Sequence, residues 1–223
     1  ILLKPNGVAT FEFPHLLKLV NENQFDTIYH EHFSYLSLTA LEVIFKENGL
    51  QVFDVEELTT HGGSLRLFAQ RSDTGVQIVS EKVIKLRKRE MDTGMDSGNF
   101  YKNFQKKANI VKDDLLNFLI KAKQDGKKVV AYGAAAKGNT LLNYAGIRLD
   151  LLSYIVDRSP SKQGKYMPGS RIPIYTEQFL KDDKPDYVLI LPWNLKNEVI
   201  KQLSYIKESG GKLAVAVPQL EII

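Results

Sequence analysis

The chain has 223 residues, 43% hydrophobic and 25% charged, with a net charge of only +4, the profile of a globular protein of one large or two modest domains. No apolar run is long enough to span a bilayer and no signal-peptide pattern is present. The 30 Lys and Arg residues are dispersed, so neither a membrane nor a nucleic-acid partner gains support. The absence of cysteine excludes disulfides and thiolate metal sites in this chain and fits a reducing, cytoplasmic setting.

Ile1-Leu2-Leu3, without an initiator Met, runs into the turn chemistry of Lys4-Pro5-Asn6-Gly7. It reads as the tail of one element entering another, and so raises the expectation of a piece of a longer chain. Alternation over Val8–Phe13 predicts a strand stopped by Pro14, and His15–Val20 a short helix. After the polar Asn21-Glu22-Asn23-Gln24 comes Tyr29-His30-Glu31-His32, followed by Phe33-Ser34-Tyr35. All four histidines (His15, His30, His32, His61) fall in the first 61 residues, and two of them flank a carboxylate here. A neighbouring Glu can tune an imidazole into a general base near neutrality. The same run also reads as a partial metal site, or as a polar loop without chemistry. Its position between regular elements predicts a loop, where chemistry tends to gather.

Ser37 is a candidate N-cap for a helix with Leu38, Leu41, Ile44 and Phe45 on one face, stopped at Gly49. Leu50–Val55 and Ser64–Gln70 read as strands whose short connection makes them antiparallel, with His61-Gly62-Gly63 as a turn between them. Strand, helix, strand and reversed strand together form the closing third of an α/β sheet. Gln77–Glu90 reads as a basic helix, and the Lys85–Arg89 knot as its solvated end. Met91–Gly98 is turn-rich. A long amphipathic helix then places Phe100, Phe104, Ala108, Val111, Leu115 and Phe118 on one face, a pattern of core packing, and bridges two domains.

From Lys127 the pattern alternates between strand and helix. Strands are expected at Val129–Tyr132, Leu152–Val156, Tyr187–Leu191 and Leu213–Val217, and helices around Thr176–Leu180 and Glu198–Lys207. This is a Rossmann-like doubly wound domain. The loop Gly133-Ala134-Ala135-Ala136-Lys137-Gly138-Asn139-Thr140 opens a helix, and amides there favour an anion. It lacks G-x-G-x-x-G, and Lys137 precedes Gly138, so neither the dinucleotide fingerprint nor a Walker A loop fits. A tight turn needing small residues for packing alone remains open. Asp157 closes the second strand, where a ribose hydroxyl is often held. Lys162 lies on a polar loop behind it, and Trp193 ends another strand at the same edge. Together they suggest an anionic, nucleotide-like ligand.

Several of these stretches, in order, resemble the S-adenosylmethionine-dependent sugar C-methyltransferases, which act on nucleotide-linked deoxy-4-keto sugars. They are Leu3–Val8, Tyr29–Phe33, His61–Arg66, Val130–Thr140, Asp157, Ser159–Gly164, Pro168-Gly169 and Ile172-Pro173. The resemblance covers nearly the whole chain. It implies that residues 1–72 are the end of a class I methyltransferase domain, 73–126 a helical bridge and 127–223 a nucleotide-sugar-binding domain. S-adenosylmethionine would be gripped by strands absent from this sequence, and zinc would belong to an N-terminal module absent as well, so the fragment alone would be inactive. It also implies His32 as the base, Glu31 as its orienting or charge-stabilising partner and Tyr29 as a donor to substrate or enolate. A nucleotide-diphosphate sugar is the implied ligand of Gly133, Lys137, Gly138, Asn139, Thr140, Asp157, Lys162 and Trp193, with His61 as a secondary candidate. The competing readings are a nicotinamide-dependent oxidoreductase, a non-catalytic nucleotide-sugar module, and a metal hydrolase on His30, Glu31 and His32. The last is disfavoured because the two histidines lack i,i+4 spacing.

Overall fold

The computed structural model describes residues 3–223, so the reading of Ile1 and Leu2 as the tail of an element lies outside the described residues. The chain forms two compact units. One holds residues up to Asn23 together with Phe33–Phe104; the other holds Gln24–His32 together with Gln105–Ile223. This division differs from the expected boundaries at 72 and 126. Val83 and Leu86 belong to the core of the first unit. Gln24–His32 belongs with the second, where the Phe25 ring packs 5.3 Å from that of Tyr144.

In the first unit, β1 (Val8–Pro14), β2 (Leu50–Leu58) and β3 (Ser64–Arg71) form an antiparallel sheet of order β1-β3-β2. Period-two alternation buries Leu65, Leu67 and Ala69 against α2 (Leu38–Glu47) and α3 (Glu81–Asp92). The helix α1 (Leu16–Asn21) precedes them. β2 outlasts the expected Leu50–Val55. Glu56 stands opposite Arg66, whose guanidinium bonds Glu56 and also Glu12 on β1, so acidic residues that look like loop extend the ladder. Ser37 caps α2 as expected, accepting from the Ala40 amide. Phe45 is buried, but Ile44, expected beside it, is 47% exposed.

The helix expected over Gln77–Glu90 begins only at Glu81 and runs to Asp92. Buried Gln70 holds the extended Gln77 backbone from both sides, accepting from its amide at 2.8 Å and donating to its carbonyl at 2.8 Å. Ser80 is fixed through its amide to the Phe53 carbonyl and through its hydroxyl to Asp54.

Glu90, on α3, ties this unit together. Its carboxylate accepts from the Leu38 amide, the Thr39 amide and the Thr39 hydroxyl at 2.7–2.9 Å, and from His15 Nε2 at 2.8 Å. It therefore sits on the first amides of α2, where a negative charge is favoured. Burial pushes this carboxyl up, but the bonds from His15, Thr39 and the two amides outweigh it and hold it below the ordinary carboxylate range.

After Gln24–His32, the second unit resumes at Gln105 in α4 (Phe104–Gln124), whose buried stripe is Ala108, Val111, Leu115, Leu119 and Ala122. Phe100 lies ahead of the helix, and Phe118 is half-buried, edge-on to Tyr187. Its six-stranded sheet joins β4 (Val129–Tyr132), β5 (Ile155–Val156), β6 (Ile174–Tyr175), β7 (Tyr187–Ile190), β8 (Lys212–Val215) and β9 (Glu221–Ile222). The order is β6-β5-β4-β7-β8-β9, parallel except for β9. The helices are α5 (Ala136–Tyr144), α6 (Glu177–Asp183), α7 (Lys196–Gln202) and α8 (Ser204–Glu208). Only Ile155–Val156 of the expected Leu152–Val156 joins the ladder, although Leu152 and Tyr154 are buried. β6 and β9, two residues each, are additions to the expected pattern. The expected helix over Glu198–Lys207 is two, parted at buried Leu203. The chain leaves β4 for β5 and β6, then returns to β7 on the other side of β4. That reversal is the switch point at which such sheets leave a crevice.

Candidate functional site

A single 3-10 turn, Phe25–Thr27, leads into Tyr29-His30-Glu31-His32, and the stretch beyond it is irregular as expected. His32 Nδ1 lies 2.7 Å from the Thr27 carbonyl oxygen. A carbonyl can only accept, so Nδ1 carries the hydrogen, and in the neutral ring Nε2 carries the lone pair. The Tyr29 ring lies 4.3 Å from that of His32, tilted by 33°. The structure thus brings Tyr29 and His32 together, with both rings half-buried. His30 is exposed, its ring 6.3 Å from Tyr29, and Glu31 is exposed. The group on His32 Nδ1 is the Thr27 carbonyl; of the two roles that the resemblance implies for Glu31, orienting or charge-stabilising, the first is filled at Nδ1 by Thr27. His61 lies in the other unit, exposed, in the turn Thr60–Gly62 with a left-handed φ of 56°.

At the switch point, the carboxyl ends of β4 and β7 border a cleft of about 350 Å³, lined in part by Tyr132, Gly133, Asp157, Arg158, Pro192 and Gln202. Tyr132 donates its hydroxyl to Glu177 at 2.6 Å; burial and that carboxylate hold the phenol well above its ordinary value. Gly133 has a left-handed φ of 87°, and a Cβ there would meet Pro192 at 2.6 Å. A Cβ on Gly138 would meet Leu191 at 2.7 Å. Both glycines are therefore required by close packing, the plainer of the two explanations the sequence left open.

The remaining loop groups point inward. The Ala134 amide donates to Asp157 Oδ2 at 2.8 Å, Lys162 Nζ bonds the same oxygen at 3.1 Å, and the Ser159 amide donates to Oδ1 at 2.8 Å. Asp157, suggested as a ribose partner, instead fills an anion position of its own loop and holds Lys162 there. Asn139 accepts from Asn143, and the Thr140 hydroxyl bonds back to the Ala136 carbonyl. Lys137, suggested as a phosphate ligand, is buried. Its Nζ donates to Asn194 at 2.7 Å and lies 4.3 Å from the centre of the Trp193 ring.

Sequence reasoning missed Asp26. This fully buried carboxylate accepts from Trp193 Nε1 at 2.7 Å on Oδ2, and Oδ1 has no hydrogen-bond partner among the described residues. Burial pushes the carboxyl up to about 6, against the pull of the Trp193 hydrogen bond and the Lys137 charge. Burial in turn pushes the Lys137 ammonium down, opposed by Asp26. The partners are 167 positions apart, and neither sits in a recognisable motif. Among the described residues, no group of three or more His, Asp or Glu side chains is placed to hold a metal ion.

Residues 59–218 match the family model described as the C-methyltransferase C-terminal domain. The chain belongs to that family. It is 36% identical over 222 residues to the C-methyltransferase NovU of Streptomyces niveus, covering 100% of this chain and 53% of that protein. The chain thus spans about half the length of this curated relative. No helix among the described residues is long and apolar enough to cross a membrane.

Proposed function

We propose that this chain is part of an S-adenosylmethionine-dependent enzyme that methylates carbon beside the ketone of a nucleotide-linked keto-sugar, with His32 as the base. The observation that carries the reading is the Nδ1 bond from His32 to the Thr27 carbonyl, which leaves Nε2 as the proton acceptor. Nε2 takes the proton from the carbon next to the carbonyl, and the C–H electron pair moves to give the enolate. Tyr29, whose ring lies 4.3 Å from that of His32, is assigned as the donor to that oxygen. Glu31 acts through its charge rather than through Nδ1.

S-adenosylmethionine supplies the electrophilic methyl group. The spaces at Gly7, Gly63 and Gly75 are filled by Leu3, Lys18 and Gln70 of the chain itself, so these glycines give the donor no cradle. We assign its grip to the rest of a longer protein and expect this chain alone to be inactive. The nucleotide end of the sugar is assigned to the switch-point cleft, where Arg158 and the Gln202 amide offer donors. An oxidoreductase reading is not favoured: the loop after β4 lacks the G-x-G-x-x-G that a dinucleotide pyrophosphate requires.

The test is methyl transfer by a full-length enzyme carrying His32→Ala, with deuterium wash-in beside the ketone as the probe of proton removal. A fall of about 10²–10⁴-fold in both is expected. Retention of wash-in by the variant would remove His32 as the base. Titration of this 223-residue chain with thymidine diphosphate and NADH tests the cleft separately: binding of NADH alone would contradict the nucleotide-sugar assignment.

A further inference from the structure

We infer that Asp26 and Trp193 are positioning residues that fix the orientation of the His32 imidazole from the β7 end of the sheet. The inference rests on the reading of His32 as the base. The Nδ1 hydrogen of His32 is held by the carbonyl of Thr27, the last residue of the Phe25–Thr27 turn. The turn is closed from within by the Thr27 amide and hydroxyl, both donating to the Gln24 carbonyl. Its middle residue is Asp26, held from outside by the Trp193 indole N–H at 2.7 Å. Trp193 is fixed in turn: the Lys137 ammonium lies over its ring and is bonded to the neighbouring Asn194. The path from sheet to base is therefore Lys137 and Asn194 to Trp193, to Asp26, to the turn, to the Thr27 carbonyl and so to Nδ1.

A merely adhesive contact at this place would be met at lower cost by apolar side chains, because a buried carboxylate with one oxygen unpartnered is unfavourable. What the polar cluster adds is direction. An indole N–H bond fixes the angle of the turn where an apolar contact lets it slide. Phe25 against Tyr144 supplies the adhesion, and Asp26 with Trp193 supplies the angle. The same turn that carries Trp193 places Pro192 and Leu195 in the wall of the switch-point cleft, so one short segment borders the cleft and holds the base.

The experiment is nitrogen-15 NMR of the histidine rings in the 223-residue chain, with His32→Gln used to assign the His32 signals. In the parent chain, His32 is expected as the Nδ1–H tautomer. Trp193→Phe keeps a ring but removes the donor, and Asp26→Ala removes the acceptor. Each is expected to make Nε2–H the major form, while Asp26→Asn, which still accepts from the indole, keeps Nδ1–H. In the full-length enzyme, Trp193→Phe lowers kcat about tenfold with KM little changed, a part of what base catalysis supplies. The inference is overturned if Trp193→Phe leaves His32 in the Nδ1–H form; should Asp26→Ala not fold, that variant decides alone. If His32→Ala retains methyl transfer while Trp193→Phe still switches the tautomer, the base assignment fails and the positioning stands.

Discussion

Glu90 in one unit and Asp26 in the other are carboxylates taken out of water, and their chemistry diverges. Glu90 receives four hydrogen bonds on its two oxygens and is held below the ordinary carboxylate range. Asp26 receives the Trp193 bond on one oxygen, leaves the other without a hydrogen-bond partner among the described residues, and is pushed up to about 6. Burial raises both; the number of donors decides which direction prevails. A carboxylate that is fully met works as a structural clamp. One that is half met gives up its proton only as the pH approaches about 6, and remains responsive to whatever changes its Trp193 donor.

The largest effect expected from this contrast is that of Glu90→Ala. It strands four donors, including the first two amides of α2, and should destabilise the first unit by about 3–5 kcal/mol in urea unfolding. A loss under about 1 kcal/mol would mean that water replaces the carboxylate and that the clamp is not one.

Next is the pH dependence of Asp26. Its folded value, about 6, stands above the ordinary 3.8, so the folded state holds the proton more tightly. The associated stability is present below about pH 4 and is lost as pH rises to about 6 and beyond. The difference corresponds to roughly 3 kcal/mol. Asp26→Asn removes the titration, so the stability of the variant relative to the parent should climb from pH 4 to pH 7 in urea midpoints measured across that range. A difference independent of pH would place the Asp26 carboxyl at its ordinary value. Glu90 has the opposite sign: its contribution is present at neutrality and is lost as pH falls below the ordinary carboxylate range.

Trp193→Phe sharpens the comparison further by removing the Asp26 donor. The second unit should lose about 2 kcal/mol at pH 7, seen as faster hydrogen exchange in α5, and less at pH 4, where the acid is neutral. The smallest effect is that of Thr39→Val, which takes one of four donors from Glu90. About 1 kcal/mol is expected, with the carboxyl still low because three donors remain.

The same contrast separates what the sequence made legible from what it did not. Ser37 was readable as a cap because the signal is local: the hydroxyl meets an amide three residues on. The parallel strands from β4 to β8 were readable as apolar runs, and the Tyr29–His32 segment as a dense cluster of ionisable and aromatic groups. The two-residue strands β6 and β9 are too short to carry any period. Gln77–Ser80 reads as the first turn of the helix that follows it, but Gln77 is held by Gln70, a side chain seven positions upstream, and Ser80 by Phe53 and Asp54. Asp26 and Glu90 read as ordinary polar residues because their partners arrive from far along the chain, 167 positions for Trp193 and 75 for His15. Lys137 and Asp157 were visible as residues, but the direction of their side chains was not. Both looked outward to a ligand in sequence, and both are directed to in-chain partners in the fold.

Trp193 is the single tryptophan of the chain. Its indole N–H rests on a carboxyl group that titrates near neutrality, its face carries an ammonium, and its neighbours wall the cleft. Indole emission from this 223-residue chain therefore comes from one corner only. Its colour and brightness form an unlabelled optical gauge of the protonation of Asp26 and of anything that enters beside Pro192.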